Sequence, residues 1–598
     1  MDWSTAGVTG GIPTTRTQCG STVNAYTGSA AMINSAISAC EAGRYVLLGA
    51  GTFNLSNSIV LRSNVTLRGQ GMSTILNFTS VGGSGYFWGG ARVAIAAQGY
   101  DSSGYKSDPA LGGVPSGTIR NWIGTNGQAG VYTQGATVLN LDSAPTGLQV
   151  GYTLTLWQTN DPANTVPKAG YFVSSSAGDD ASNVAWQGSS QSFNSGQQQR
   201  VRVQSINGTQ ITVWPGLYRP TGTWASARSP KAGWQSAALT GVGLENLRIT
   251  KPNAVTDLEA FVGFNTVADS WISGVGVVGG TVGRPAASGI QIIDSRNVTI
   301  RDSWWDPFWG GGQNTTTSYG ITLLQCSGCL IENNVFNRVE SPIMLNSGTT
   351  GSVISFNYEN YASGKEGGLQ AHEVGTAMNL YEGNRATKFW ADVFHGNTSL
   401  NTLFRNHFDG GQGMDIWAYH RWYNAVGNVI NASVYQSLYT DATKYDRWSG
   451  VAFRLGYASQ NASAGSEASY NVFPDPVVIS SFMRWGNYVT TGGTRWLASE
   501  VPSADPVFPN AVPSSQTLPS SFYLSARPIW WPSAKPWPAI GPDVTGGNIA
   551  GYVGHAYTTP AEDCYTTSGG TIANFNPSAC YPMSGVGPAA PANLRIVP

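Results

Sequence analysis

One residue type recurs through the middle of this chain at a nearly fixed interval. Asn334, Asn357, Asn384, Asn406 and Asn428 are spaced 23, 27, 22 and 22 residues apart. Each closes a short apolar run: Leu330-Ile331-Glu332-Asn333-Asn334, Val353-Ile354-Ser355-Phe356-Asn357, Leu380-Tyr381-Glu382-Gly383-Asn384, Leu403-Phe404-Arg405-Asn406 and Val426-Gly427-Asn428. Earlier members are Leu244-Glu245-Asn246-Leu247 and Val298-Thr299-Ile300-Arg301, and Trp485-Gly486-Asn487 closes the series. A unit this short cannot bury its own apolar face, so neighbours must stack. Stacked strands lie about 4.8 Å apart. An Asn at the same turn of each unit can bond to its counterpart and tolerates left-handed backbone. The spacing predicts an all-β chain whose residues 239–490 form the stacked coils of a parallel β-helix, with the five asparagines in one column. A leucine-rich horseshoe would need a Leu-x-x-Leu-x-Leu frame, which is missing.

The flanking segments read differently. Residues 1–85 open with a predicted capping helix over 29–43, with Ser29 as cap, Ile33 and Ile37 on one face and Gly43 as stop. Strand-like runs follow at 45–48, 59–61 and 65–67. A helix there would cover the unpaired edges of a first coil. Residues 86–238 read as a β-rich insertion with two strand pairs, 136–139 with 152–156 and 200–203 with 210–213. Residues 491–598 read as an irregular Pro/Trp-rich tail, including Arg527-Pro528-Ile529-Trp530-Trp531-Pro532. Its end, Pro588-Ala589-Ala590-Pro591, resembles a linker to a lost module, and Met1-Asp2-Trp3 an expression start on a mature chain.

Charge excludes some partners. Lys+Arg 32 nearly cancel Asp+Glu 33, and only 11% of residues are charged, so neither nucleic acid nor an anionic membrane is expected. No apolar run is long enough to span a bilayer. The six cysteines fall into local pairs, Cys19/Cys40, Cys326/Cys329 and Cys564/Cys580. Three disulfides and a secreted, oxidising setting are the expectation. A zinc site at Cys326-Ser327-Gly328-Cys329 would lack its second half.

The helix-plus-coil start and the Asn ladder resemble the pectate lyase-like right-handed β-helix superfamily. The block His372-Glu373, Asn379 to Asn384, Asp392-Val393-Phe394-His395-Gly396 and Leu403 to Asn406 resembles secreted bacterial β-helix proteins of that kind. The resemblance implies a carbohydrate-active enzyme acting on a polysaccharide. The polygalacturonase set (Asn-Thr-Asp, Asp-Asp, Gly-His-Gly, Arg-Ile-Lys) is absent, and no clear calcium-binding Asp cluster is seen. The metal content is unknown on these grounds. A hydrolase would need no cofactor, and Ca2+ could be bound.

Titratable residues concentrate in one window. His372, His395, His407 and His420 lie there, with Glu366, Glu373, Asp392, Asp409 and Asp415. Glu373 is 11 residues before Asn384 and His395 is 11 before Asn406. If the asparagines stack, Glu373 and His395 are neighbours, and Asp392 lies three residues upstream of His395 on that coil. Glu373 and Asp392 would then be about 11 Å apart at the backbone. Their carboxyls could reach the ~6.5–9.5 Å of an inverting glycosidase, one as acid and one activating water. The candidate catalytic set is Glu373, Asp392, His395, His372 and Asp415. The candidate substrate-binding set is Trp390, Trp417, Tyr419, His420, Asp306 and Trp305, because flat rings stack on sugars. Trp304, Trp309, Trp422 and Tyr435 crowd the same region. Glu382 and His407 read as ladder-frame residues with structural roles.

Three functions follow. The first is a glycoside hydrolase. The second is a polysaccharide lyase, with Arg405, Arg421 or Lys388 neutralising a uronate. The third is a non-catalytic glycan-binding or surface protein.

Overall fold

The computed structural model describes the chain apart from residues 82–91, 100–117, 124–131, 160–194, 235, 237, 254, 256–257, 281–284, 309–317, 361–366, 393–395, 439–449, 458–474, 550–553 and 583–598. Trp309, Glu366 and His395 therefore lie outside the described residues, as does the linker-like end.

The fold is a right-handed parallel β-helix. Each central coil contributes three strands. One coil uses Val353–Ser355, Tyr358–Asn360 and Leu369–Ala371, and the next uses Leu380–Glu382, Arg385–Ala386 and Phe389–Ala391. Pairing is parallel and in step: Val353 with Leu380 and then Thr402, Leu369 with Phe389 and then Met414. Alternate residues point inward. Ile300, Ile331, Ile354, Tyr381 and Leu403 fill one wall of the core, and Ile321, Ile343, Leu369, Phe389 and Met414 fill another.

The asparagines form the expected column. Asn334 donates through its backbone N–H and its side-chain Nδ2 to Asn357 Oδ1, at 3.0 and 2.9 Å. The same double bond links Asn357 to Asn384, Asn384 to Asn406, Asn406 to Asn428, and Asn428 to Asn487. Each Nδ2 also satisfies a backbone carbonyl, such as Tyr381 O for Asn406 at 2.8 Å. A bend between two buried strands would otherwise strand that carbonyl. The left-handed geometry belongs to the preceding residue: Asn333, Phe356, Gly383 and Arg405 have φ of 57°, 54°, 68° and 51°. The asparagines are selected for the amide, not for the turn angle.

At the first coils, helix Ala31–Ala39 buries Ile33 and Ile37. Ala30 takes the N-cap position, with no side-chain bond to the helix. Asn34 donates to Ser58 O at 3.1 Å and accepts from Val60 N–H, on the edge strand Ile59–Val60, at 2.9 Å.

The insertion holds a closed antiparallel barrel built from strands between Arg120 and Trp234. The hairpin Gln198–Asn207 with Gln210–Trp214 is present. The expected pairing of 136–139 with 152–156 is not: Val138–Leu141 joins the strands at 210–214 and 120–123, and Thr153–Trp157 joins those at 198–207 and 231–234. Closing the barrel gives these strands partners from distant turns. Val93–Gln98, read as insertion, belongs to the β-helix and pairs with Ala260–Asn265.

Cys19–Cys40 and Cys564–Cys580 are disulfides, with Cα atoms 5.6 and 5.2 Å apart. The third expected bond is corrected: Cys326 and Cys329 are free thiols in the core. Their backbone N–H groups donate to Thr349 and Ser352 hydroxyls on the next coil. They occupy positions that Thr and Ser fill one coil later, so they pack as small core residues.

Candidate active site

The site lies where the third strand of each coil turns a corner into the next. This corner runs from Leu345 to Thr350, Ala371 to Ala377, Ala391 to Ser399, and Ile416 to Arg421 on successive coils. It is one residue longer in the second case and three longer in the third than in the first and last. Extra residues in a strand ladder redirect side chains and collect beside active sites. These two corners carry His372 and Glu373 on one coil and Asp392 on the next. Glu373 itself has φ +63°, an uncommon conformation for a residue other than glycine.

Ala371 pairs with Ala391, which sets His372 opposite Asp392. His372 Nδ1 lies 2.7 and 2.9 Å from the two Asp392 carboxylate oxygens. Gln370 Nε2 donates to Asp392 Oδ2 at 2.5 Å. Glu373 Oε1 sits 3.9 Å from His372 Nε2. The result is a carboxylate–imidazole–carboxyl chain. With Nδ1–H held by the Asp392 carboxylate, the lone pair of a neutral His372 is left on Nε2, facing Glu373. Asp392 is fully buried, whereas His372 and Glu373 keep 10% and 12% of their side-chain surface exposed. Burial pushes the Glu373 pKa up to about 7; His372 opposes that shift and the Asp392 charge adds to it. Glu373 Oε2 is buried with no partner among the described residues.

The expected open pair of carboxylates is thereby corrected. Asp392 acts on His372 rather than on solvent. The extra residues between Ala391 and Asn406 shift the register, so Asp392 stands beside His372 instead of three residues away from Glu373.

Other candidates are placed elsewhere. Asp415 forms a two-point ion pair with Arg454 and accepts from Trp417 Nε1 at 3.0 Å, so both it and Trp417, which is 2% exposed, are packing residues. Trp305 is wholly buried, stacked on Phe336 at 4.7 Å. Asp306 pairs with Arg338 at 2.5 Å. Tyr419 is buried, and its N–H donates to Asp475, which also pairs with Arg421 at 2.9 Å. His420 is enclosed, accepts at Nδ1 from Thr398 N–H at 3.0 Å, and has its pKa pushed down to about 4 by burial. His407 is likewise buried, at about 3. Trp390 is the aromatic that stays with the site: its strand neighbour is Gln370, and Lys388 Nζ stands 4.9 Å from its ring centre.

Glu382 accepts from Phe522 N–H at 2.9 Å and is raised to about 7 by burial, which ties it to the tail. Gln370 was missed in the sequence. The alternation Leu369-Gln370-Ala371-His372 was its signal, since it puts Gln370 and His372 on the same outer face.

Among the described residues no cluster of three or more His, Cys, Asp or Glu could hold a metal. Asp306, Asp415 and Asp475 are each neutralised by an arginine. No step below passes through a cation. Among the described residues no helix is long and apolar enough to cross a membrane.

No family model and no curated protein matches the sequence. Solved structures do. The Pseudomonas phage phi297 tailspike is 10% identical, with 67% of this chain and 62% of that chain covered and a TM-score of 0.43. An Acinetobacter baumannii phage AP22 tailspike, in complex with capsular saccharide, is 9% identical (69% and 59% covered, TM-score 0.38). A polygalacturonase from Erwinia carotovora is 9% identical (69% and 92%, TM-score 0.26). The chain spans about three fifths of the length of these tailspikes. None of these likenesses assigns a role to a residue here.

Proposed function

We propose that this protein is a secreted glycoside hydrolase that cleaves a polysaccharide at the paired long corners. The observation that carries the reading is the Asp392–His372–Glu373 chain. Glu373, with a pKa of about 7, is part protonated at neutral pH and can give its proton to a leaving glycosidic oxygen. His372, oriented by Asp392, faces Glu373 across 3.9 Å, too close to serve as a separate base on the opposite sugar face, and acts on the proton of that carboxyl. Gln370 keeps Asp392 aimed at the ring. Trp390 borders the site with 7% of its surface exposed and Lys388 over its ring at 4.9 Å. The substrate class follows the resemblance in the sequence, and the two disulfides fit an oxidising location.

β-Elimination would need a cation to neutralise a uronate. Arg405 is held by Asp543 at 2.7 and 2.8 Å and Arg421 by Asp475, which leaves Lys388, beside Trp390, as the cation a lyase would use. The test is a glycan panel scored for new reducing ends and for ultraviolet-absorbing unsaturated ends. Reducing ends without absorbance are expected. Unsaturated product would replace the hydrolase by a lyase, and binding without either product would leave a glycan-binding protein.

A further inference from the structure

The barrel presses on the turn that carries Glu373. Arg219 follows the barrel strand Gln210–Trp214 and is enclosed, at 1% exposure. Its Nη2 donates to the Gly375 carbonyl at 2.7 Å. Its Nε and Nη1 have no partner among the described residues, and burial pushes its pKa down to about 9. An enclosed, unneutralised guanidinium is strongly unfavourable and persists only where its surroundings enforce it. Other contacts already join barrel and β-helix: Arg200 with Asp294, and Arg296 Nε with Thr153 at 3.0 Å. Docking alone gives no reason to bury a further charge.

Gly375 explains the placement. Its φ is +82°, and a Cβ there would lie 2.0 Å from the Gly196 carbonyl oxygen of the barrel segment. The turn Glu373-Val374-Gly375 is thus held at one residue by a side-chain hydrogen bond from Arg219 and by close packing against the Gly196 backbone. On its other sides Gly375 N–H donates to Asn397 O at 3.0 Å, and Val374 O accepts from Gly348 N–H at 2.9 Å. Glu373, left-handed like Gly375, immediately precedes these anchors.

We propose that Arg219 is a positioning residue: through the Gly375 carbonyl it fixes the lengthened turn and so the direction of the Glu373 side chain. The inference rests on Glu373 being the acid of the proposed reaction. It gives the barrel a function in the site, since without it the turn loses both grips.

The test uses the full chain with Arg219→Met, which keeps the length of the stem, and Gly375→Ala as a second variant. Hydrogen exchange in peptides covering 372–377 should speed up about tenfold, while peptides covering 353–360 stay unchanged. The kcat should fall at least ~10-fold with KM within about twofold, the pattern of a misaimed group. Arg219→Lys should recover part of that loss, because an ammonium can still donate one bond. Unchanged exchange at 372–377, or exchange raised equally everywhere, overturns the proposal. Exchange raised only at this turn, in a protein whose Glu373→Gln variant keeps full turnover, would leave the clamp standing and remove the acid role of Glu373.

Discussion

Glu373→Gln should make the protein more stable, and by an amount that depends on pH. The folded pKa of Glu373 is raised from 4.5 to about 7 by burial. The native state therefore holds this proton more tightly than the unfolded chain. Its stabilising contribution is complete below the unfolded pKa and is lost as pH rises through the folded one. Above that window the native state must keep a buried carboxylate whose Oε2 has no partner among the described residues. At about 1.4 kcal/mol per pKa unit, the loss between roughly pH 4 and pH 8 amounts to about 3 kcal/mol. Glutamine has the same shape and does not titrate. The urea midpoint of the variant, followed by tryptophan fluorescence, should rise relative to the parent as pH increases across that range, with equal slopes for the two proteins. A stability difference that is the same near pH 4 and near pH 8 would refute the reasoning, because Glu373 would then be titrating as an ordinary exposed carboxyl.

Three further outcomes are expected. Asn406→Ala removes the acceptor for Asn384 N–H and Nδ2 and the donor to Tyr381 O and Asn428 Oδ1; urea unfolding should show a loss of about 3–5 kcal/mol, and a change under ~1 kcal/mol would count against the column as a stabilising element. A thiol reagent should find Cys326 and Cys329 only after denaturation without reductant, and no thiol even then would mean that the pair is oxidised. Asp415→Asn should lower stability by about 3–5 kcal/mol by stranding Arg454, while the folded fraction turns over at the parent rate; a ~10²-fold loss of turnover in that fraction would return Asp415 to the chemistry.

The coil architecture was legible because one constraint repeats. Each bend must satisfy a buried carbonyl, and Asn does so on each coil from Asn334 to Asn487, so a one-dimensional spacing reports a three-dimensional column. The site was legible as a neighbourhood but not as a geometry. His372, Glu373 and Asp392 could be singled out because charge is scarce in this chain. Their register could not, because it was counted back from Asn384 and Asn406 as though the intervening arcs were equal, and the Asp392 corner is longer. Trp305, Trp417 and Asp415 misled for a related reason. In a strand buried on both faces, an aromatic or an acid reads like a groove residue, and only the partner across the coil, Phe336 or Arg454, shows that the site is filled. Cys326 and Cys329 looked like a local disulfide, but neighbouring hydroxyls on the stacked coil make them rungs of a ladder. Arg219 had no signal in the sequence, since its only described hydrogen-bond partner, Gly375, is 156 residues away.

The central claim is that Glu373 supplies the proton for cleavage while Asp392 acts through His372. The most direct measurement is the rate of reducing-end release by Glu373→Gln and Asp392→Asn on the polymer that the glycan panel selects, per folded molecule. The account predicts losses of at least ~10²-fold in each, the usual scale for removing acid–base help, with folding retained. Full turnover by both variants would contradict it and place the chemistry elsewhere on the β-helix.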